Sequence, residues 1–330
     1  MEKHCRYLSE QVCHHPPVSA CYCDSPDYSF WTEVYVKSKF WGKSLELQPL
    51  GNCHVSLPVY DSTGKATTSE HYSWKKVTTC VNNLILGPLS IEHYGDMVVK
   101  NHRTGEQMVI TFKPKDPGGW FVASKDAPGF GGDISGFVKD SKGVPRFELK
   151  GRWDEYLSAI PISKNSYTSE AIELWRVHPR PEISPQNFNL TDFSLILNQT
   201  SPQLDKCLPL TDSRKRPDQR AMEEGRWDEA DKTKEKCEVN QRVRRKRIVG
   251  VYDKTGVPYG PPSKGLEFGE KWWTPRWFIR EIEADTNEGH WKFSGDYWKL
   301  RSDVMEKNQK WPPYIDDLFG ITVDSEGASK

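Results

Sequence analysis

Apolar and polar positions alternate along the first half of the chain, in the pattern of half-buried strands. From 28 to 36 the run YSFWTEVYV alternates with a spacing near two, after a turn signal at Ser25-Pro26-Asp27. Turn dipeptides such as Thr104-Gly105 and Lys142-Gly143 separate later apolar runs, so consecutive strands are expected to pair as antiparallel hairpins. The further predicted strands are 75–86, 90–101, 107–112, 134–139, 146–153 and 172–177.

A meander of this length must protect its edge strands, and closed barrels or packed sheets are the usual solutions. We therefore expect residues 1–180 to form the β-meander or barrel portion of the fold. A barrel of this size is wide enough to be hollow.

The pattern changes after His178-Pro179-Arg180-Pro181. Residues 186–198 predict a short helix, and residues 218–247 predict a long one because Glu, Lys, Arg, Gln and Ala dominate them. A Pro/Gly-rich stretch at 258–262 predicts a linker or surface loop. The chain thus divides into a helical segment, 181–250, and an aromatic-rich portion, 251–330. Aromatic residues there are expected to seal the base of the β-structure: Trp272, Trp273, Trp277, Phe278, Trp291, Phe293, Tyr297 and Trp298.

The composition of the chain argues against several functional classes. The 46 Lys and Arg residues balance the 46 Asp and Glu residues, which argues against bulk attraction to nucleic acid. No apolar run is long enough to span a bilayer, and the polar first ten residues contain no signal peptide, so a cytoplasmic location is expected. The 8 cysteines are then expected to be free thiols.

The most unusual local motif is Glu10-Gln11-Val12-Cys13-His14-His15-Pro16-Pro17. Neighbouring side chains of a strand point to opposite faces, so His14 and His15 share a ligand only where the backbone turns, and Pro16 favours such a strand end. The histidines suit an anion or a metal, although a solvent-facing strand end is the simpler interpretation. Zinc is a minority alternative, because nearby Cys5, Cys13, Cys21 and Cys23 do not form paired C-x2-C motifs.

A second candidate group lies on the predicted long helix. Lys234, Glu238 and Arg242 are spaced i, i+4 and i+8, which places them on nearly one face. An exposed ladder of ion pairs is the alternative explanation. The basic run 242–247 indicates contact with an anionic membrane surface more than a nucleic-acid or nuclear-import patch. Phosphate loops, nucleophile elbows and H-E-x-x-H motifs are absent from the sequence, so an enzyme is not expected.

The segment from Glu10 to Pro17 resembles the signature of the oxysterol-binding protein family, which usually has Ser at the position of Cys13. The similarity runs from about residue 10 to residue 319. Further segments similar to the family are Ile91-Glu-His-Tyr-Gly95, Asn101-His-Arg-Thr-Gly105, Phe147-Glu-Leu-Lys-Gly-Arg-Trp153, Asp212-Ser-Arg-Lys-Arg-Pro-Asp-Gln-Arg220 and Thr274-Pro-Arg-Trp-Phe278.

The resemblance implies a mainly β fold with added helices: a large antiparallel, incompletely closed β-barrel around a lipid tunnel, with a C-terminal helical subdomain, in a single lipid-binding domain over 1–330. It implies exchange of a sterol or another lipid against phosphatidylinositol 4-phosphate, by a protein that is cytoplasmic and transiently peripheral on anionic membranes. It implies no catalytic residues, metal, cofactor or nucleic-acid partner. The headgroup residues that it implies are His14, His15, Lys234, Glu238 and Arg242.

The family places a lid, first strands and an Asn-Pro-x-Leu-Gly-Glu segment before the His-His motif, whereas only nine residues precede Glu10 here. The chain is therefore expected to lack the lid and first strands, either as a truncated product or as a naturally shortened member. Two alternatives to lipid transfer stay open. One is a phosphoinositide-sensing scaffold without transfer, and the other is a lipid hydrolase or phosphatase.

Overall fold

The computed structural model describes residues 5–13, 17–114, 132–163, 166–167, 170–255, 275–312, 315 and 319, with side chains for all of these except 13, 167 and 242–255. The chain divides into two compact units. Unit 1 comprises Met1–His178 with Phe278–Phe293, and unit 2 comprises Pro179–Trp277 with Ser294–Lys330. The described strands all belong to unit 1 and the described helices to unit 2.

Unit 1 consists, in its described part, of a 14-stranded antiparallel sheet and a separate two-stranded hairpin. The sheet strands are β1 (Arg6–Cys13), β2 (Val18–Ser25), β3 (Tyr28–Phe40), β4 (Leu45–Pro49), β5 (Asn52–Tyr60), β6 (Ala66–Lys75), β7 (Thr78–Asn82), β8 (Ser90–Asn101), β9 (Gln107–Phe112), β10 (Asp133–Lys139), β11 (Pro145–Arg152), β12 (Tyr156–Ser163), β13 (Ser166–Tyr167) and β14 (Ile172–Arg176); the hairpin is β15 (Phe278–Ile282) and β16 (Gly289–Phe293).

The sheet closes on itself in one region. Strand β3 pairs with β5 through residues 29–32 and with β4 through residues 36–40. Strand β8 pairs with β7 near its start and with β6 near its end. Since β4 also pairs with β7 and β5 with β6, two hydrogen-bonded routes connect β3 to β8 and form a ring of strands.

The remainder of the sheet stays open. It continues through β9, β10, β11 and β12, which pairs with both β13 and β14. Among the described residues, β1 pairs only with β2 and β14 only with β12. The predicted fold class, mainly β with an incompletely closed antiparallel barrel and added helices, is confirmed.

The local patterns explain most strand bounds. Strands β8 and β9 occupy their predicted ranges, and Gly105 ends the turn between them at φ +79, a left-handed conformation that favours glycine. The single strand predicted over 75–86 is wrong. There β6 ends at Lys75 and β7 spans Thr78–Asn82, after which Asn83 adopts φ 62 and ends the strand.

The buried core of the sheet lies across four neighbouring strands. Ile110, Leu149 and Ala159 are buried on one face, joined by Ile134, and Leu149 is only 1% exposed. The register aligns Ile110, Gly136, Leu149 and Ala159 in one row. Glycine is required in this row because a Cβ at position 136 would overlap the carbonyl oxygen of Val109.

The β15–β16 hairpin packs on β2 and β3. The ring of Phe293 stacks on Tyr22 with centroids 4.9 Å apart. Arg280 Nη1 donates to Glu33 Oε2 at 2.6 Å, and both side chains are largely buried. Burial raises the pKa of the Glu33 carboxyl, while the Arg280 charge and hydrogen bond oppose that rise.

Unit 2 contains helices α1 (Asp192–Asn198), α2 (Pro202–Cys207), α3 (Pro217–Glu223), α4 (Trp227–Thr255) and α5 (Asp296–Lys307). The helix predicted over 186–198 is instead a 3-10 turn, Ser184–Asn187, followed by α1. The helix predicted over 218–247 is divided between α3 and α4 at Gly225, which adopts φ +74. Trp277, Tyr297 and Trp311 form an aromatic group in this unit, with Tyr297 centroids 5.1 Å from Trp277 and 5.8 Å from Trp311.

None of the described helices combines the length and the hydropathy needed to cross a membrane. Trp272, Trp273 and the proline-rich stretch at 258–262 lie outside the described residues.

Candidate functional site

Helix α4 carries the second group of candidate residues. Ala230 is buried and Thr233 and Cys237 are half-buried, which defines the stripe of α4 that packs in unit 2. Lys234 directly follows Thr233 and Glu238 directly follows Cys237, so both lie at the edge of this stripe. Lys234 is exposed and Glu238 is half-buried. Position 242 continues the line by one helical turn, although the Arg242 side chain lies outside the described part of the chain.

An ion pair between partly exposed Arg216 and buried Asp218 holds the neighbouring helix α3. Arg216 donates to Asp218 through Nε at 2.7 Å and through Nη2 at 2.8 Å, and Asp218 is only 4% exposed. Burial alone would raise the pKa of Asp218, but the Arg216 hydrogen bonds and charge outweigh burial and leave that pKa below its ordinary value. The two parallel hydrogen bonds fix the start of α3, where Pro217 occupies the first turn.

The same ion pair lies within electrostatic reach of α4. Asp218 hydrogen bonds raise the pKa of Arg216, and the charges of Cys237 and Glu238 raise it further. Burial and the Asp218 charge raise the pKa of the Cys237 thiol. Glu238 therefore lies in a field that combines an arginine with a buried aspartate, next to the exposed ammonium of Lys234. Such an arrangement can bind a polyanion through Lys234 and a hydroxyl donor through Glu238.

The structure thereby adds residues to which the sequence analysis gave no role. Two ion pairs support the helix that presents Lys234 and Glu238. One is Arg216–Asp218, and the other precedes it in the sequence, where Arg214 donates to both Asp212 oxygens at 2.8 Å. In the sequence, these four residues lie in the segment 212–220, which is similar to the family but shows no recognisable binding pattern of its own.

His14 and His15 lie outside the described residues, and the strands on either side are described. Strand β1 ends at Cys13, β2 begins at Val18, and these two residues pair with each other across the antiparallel hairpin. The two strands that flank the histidines in the sequence are therefore antiparallel neighbours. Their role in binding a headgroup stays a prediction, as do the roles of Lys234, Glu238 and Arg242.

Thiols near the histidines do not form a three-ligand group within the described residues. Cys5 Sγ and Cys23 Sγ lie 2.8 Å apart in a hydrogen-bonded pair, and burial is the largest cause that raises the pKa of Cys23 to about 11.

Apolar side chains also occupy the sheet face opposite the buried core. The register of β8, β9, β10, β11 and β12 aligns Val98, Val109, Phe137 and Ile160 in a row that Glu148 interrupts. Val98 is 44% and Phe137 39% exposed. A sheet that buries one face and exposes apolar groups on the other provides a surface for an apolar ligand.

A second apolar surface, the apolar tip, lies where two turns of unit 1 meet. The backbone N–H of Leu84 donates to the carbonyl of Lys43 at 3.1 Å, which links the β7–β8 turn to the β3–β4 turn. Ile85 is 75% and Leu86 87% exposed. The apolar tip comprises Phe40, Trp41, Leu84, Ile85, Leu86 and Leu89, and exposed Lys39 and Lys43 adjoin it.

Comparison with known proteins agrees with this architecture. The sequence is 34% identical over 304 residues to human oxysterol-binding protein-related protein 3, covering 92% of this chain and 29% of that protein. It is 33% identical over 321 residues to oxysterol-binding protein homolog 2 of Saccharomyces cerevisiae, covering 92% of this chain and 22% of that protein. The chain thus spans less than a third of the length of these relatives.

Solved structures extend the similarity to the fold. The crystal structure of the Osh1 ORD domain in complex with ergosterol superposes with a TM-score of 0.74 at 35% identity, covering 92% of this chain and 67% of that one. The Osh3 ORD in complex with PI(4)P from Saccharomyces cerevisiae superposes with a TM-score of 0.63 at 26% identity, covering 93% and 69%. The sequence model of the family described as Oxysterol-binding protein matches residues 1–302, and the chain therefore belongs to that family.

Proposed function

We propose that this chain binds phosphatidylinositol 4-phosphate and a sterol or another lipid, and transfers lipids between membranes without changing them chemically. The observation that carries the proposal is the match, over 92% of the chain at 35% identity, to an ORD domain in complex with ergosterol. The match to a domain in complex with PI(4)P extends the proposal to a phosphoinositide.

The headgroup site in this proposal combines His14 and His15 with Lys234, Glu238 and Arg242. A phosphomonoester carries about −1.5 to −2 charges at pH 7 and three acceptor oxygens, which suits imidazolium, guanidinium and ammonium donors. Lys234 is exposed on α4 and free to turn toward such a group, while half-buried Glu238 is suited to accept from an inositol hydroxyl. The Arg216–Asp218 pair supports this helix from α3.

The lipid chains or sterol need an apolar surface, and the sheet supplies one. The row of Val98, Val109, Phe137 and Ile160 supports this part of the proposal, because these side chains share the face that the core does not cover. Burial of such groups against a lipid stabilises the complex by about 25 cal/mol for each Å² of apolar surface removed from water.

Transfer also requires contact with a membrane, and the apolar tip is suited to that contact. Ile85 and Leu86 project their side chains into solvent, and Trp41 belongs to a residue type that favours the membrane interface. Lys39 and Lys43 beside the apolar tip would each add about 1 kcal/mol of attraction to an anionic surface. We therefore assign the peripheral membrane contact to the apolar tip.

Extraction of phosphatidylinositol 4-phosphate from liposomes tests the headgroup site. The unmodified chain is expected to carry this lipid into the supernatant, whereas His14→Ala with His15→Ala should weaken binding by roughly 2 to 5 kcal/mol, the range for truncating one side of a buried charge pair. His178→Ala is the matched control for the histidines, because His178 is also followed by proline and is exposed.

Lys234→Ala tests the helical half of the site, with Lys236→Ala as its control on the same helix two positions away. Equal extraction by all four variants would refute the assigned residues. Vesicle binding without extraction would instead identify a phosphoinositide-sensing scaffold, and release of phosphate or fatty acid would identify a hydrolase.

A further inference from the structure

A cluster of histidines and carboxylates in unit 1 contains none of the residues assigned to the headgroup. His54 lies on β5 and His71 on the neighbouring β6, where the register places both on one face of the sheet. Glu283 follows directly after β15 and faces them. We propose that His54, His71 and Glu283 bind a divalent transition-metal ion of the zinc class.

The three ligand groups are already close enough to share an ion. One ligand atom from each residue lies within 4.8 Å of the other two. His54 Nδ1 and His71 Nε2 are 3.0 Å apart. Two nitrogens that bind zinc tetrahedrally at about 2.0–2.1 Å lie roughly 3.3 Å from each other, so this pair needs an adjustment of only a few tenths of an ångström.

The carboxylate of Asp285 orients His71 for this role. His71 Nδ1 lies 2.5 Å from Asp285 Oδ2, so Nδ1 carries the proton that it donates to the carboxylate. With the proton on Nδ1, the other ring nitrogen, Nε2, has a lone pair that faces His54. A carboxylate behind the distal nitrogen of a histidine is the usual partner of a metal-bound imidazole, since it fixes the tautomer and strengthens the ligand.

His54 places one ring nitrogen at the proposed site. Its side chain is 1% exposed, and Nδ1, the nitrogen that faces His71 Nε2, is the atom that would bind the ion.

The charges and the access route also suit a cation. Glu283 and Asp285 bring two carboxylates to imidazoles that are otherwise buried, and a divalent ion would balance them. The Asp285 side chain is 47% exposed and leads from solvent to His71. Nitrogen donors favour zinc-class ions over Mg²⁺ or Ca²⁺, and two His with one Glu leave a fourth position for water.

Such an ion would connect two distant parts of the sequence. It would join the turn after β15 to strands β5 and β6, which otherwise meet through contacts such as the hydrogen bond from Asn52 to Glu288 at 2.7 Å. Binding to the folded chain would therefore raise its melting temperature.

The test measures zinc bound to the purified chain after chelator treatment and dialysis, by titration calorimetry and elemental analysis. One zinc per chain and a higher melting temperature are expected. Glu283→Gln should lower the affinity at least tenfold, and Asp285→Asn should lower it 10- to 100-fold through His71. Glu281→Gln, on the same hairpin but outside the three ligands, is the matched control and should bind as the unmodified chain does.

Two further variants separate this site from thiols and from misfolding. Cys23→Ser removes the Cys5–Cys23 pair and should leave zinc binding unchanged, and bound Co²⁺ should lack thiolate charge-transfer absorption. His71→Ala should abolish binding, and isosteric Glu283→Gln decides the matter if His71→Ala is unfolded by circular dichroism. The proposal is overturned if the unmodified chain binds no zinc, if folded Glu283→Gln binds it equally well, or if Cys23→Ser removes it.

Discussion

The apolar tip gives a quantitative prediction about membrane binding. Replacing both Ile85 and Leu86 by serine removes two side chains that are 75% and 87% exposed in the free protein. Full burial of one such side chain stabilises by about 1.5–3 kcal/mol, so insertion of both to most of their exposed extent contributes roughly 3 kcal/mol. Since about 1.4 kcal/mol corresponds to a factor of ten, the variant should partition into vesicles about a hundredfold less well.

Flotation with phosphatidylserine-containing vesicles measures this partition. Because both positions are exposed, the free energy of unfolding should change by no more than about 0.5 kcal/mol. Helix α1 offers a matched control, since Ile196 and Leu197 form another adjacent Ile-Leu pair, 62% and 40% exposed. Equal partition of the Ile85/Leu86 variant and the unmodified chain would refute the assignment, and so would an equal loss in the Ile196/Leu197 variant.

Three further predictions concern the scaffold. Asp218→Asn should lower the free energy of unfolding at pH 7 by about 2 kcal/mol, between the values for exposed and fully buried ion pairs, in urea titrations. The folded pKa of Asp218 lies below its unfolded value of about 3.9, so this stabilisation is full above about pH 5 and is lost as the pH falls through the folded pKa. The free energy of unfolding of Asp218→Asn should therefore depend less on pH in this acidic range. Leu149→Ala should cost about 2–5 kcal/mol by the same assay, since Leu149 is fully buried in the four-strand core, and a loss below about 1 kcal/mol would contradict that placement. Arg280→Met should destabilise by about 3 kcal/mol or more at pH 7 by leaving the Glu33 carboxylate buried without its partner, and Glu33→Gln in the same chain should restore part of that loss.

The strands of unit 1 could be predicted where a turn signal and an apolar pattern coincide. Thr104-Gly105 and Lys142-Gly143 located two hairpins because glycine adopts the positive φ that these turns require. β12 was missed because Pro161 interrupts its pattern, and β1 because charged and polar residues dominate it. The break between α3 and α4 was missed because a glycine within a helical pattern does not by itself distinguish a weak helix position from a helix end.

The candidate sites also differ in how far the local sequence could predict them. The i, i+4, i+8 spacing of Lys234, Glu238 and Arg242 is local, and α4 spans all three positions. The cluster of His54, His71 and Glu283 could not be predicted, because Glu283 comes from a hairpin far along the chain and only the packing of that hairpin brings it to β5 and β6. The exposure of Ile85 and Leu86 was equally hidden, since their apolar run favoured a longer strand.

Sterol transfer between liposomes tests the central claim most directly. Donor vesicles carry a fluorescent sterol, acceptor vesicles carry phosphatidylinositol 4-phosphate, and energy transfer to a fluorophore in the acceptor membrane reports arrival. The purified chain should move sterol well above the protein-free rate, and faster when the acceptor contains phosphatidylinositol 4-phosphate than when it contains phosphatidylinositol. A folded chain that binds both vesicles yet leaves the sterol at the protein-free rate would contradict lipid transfer.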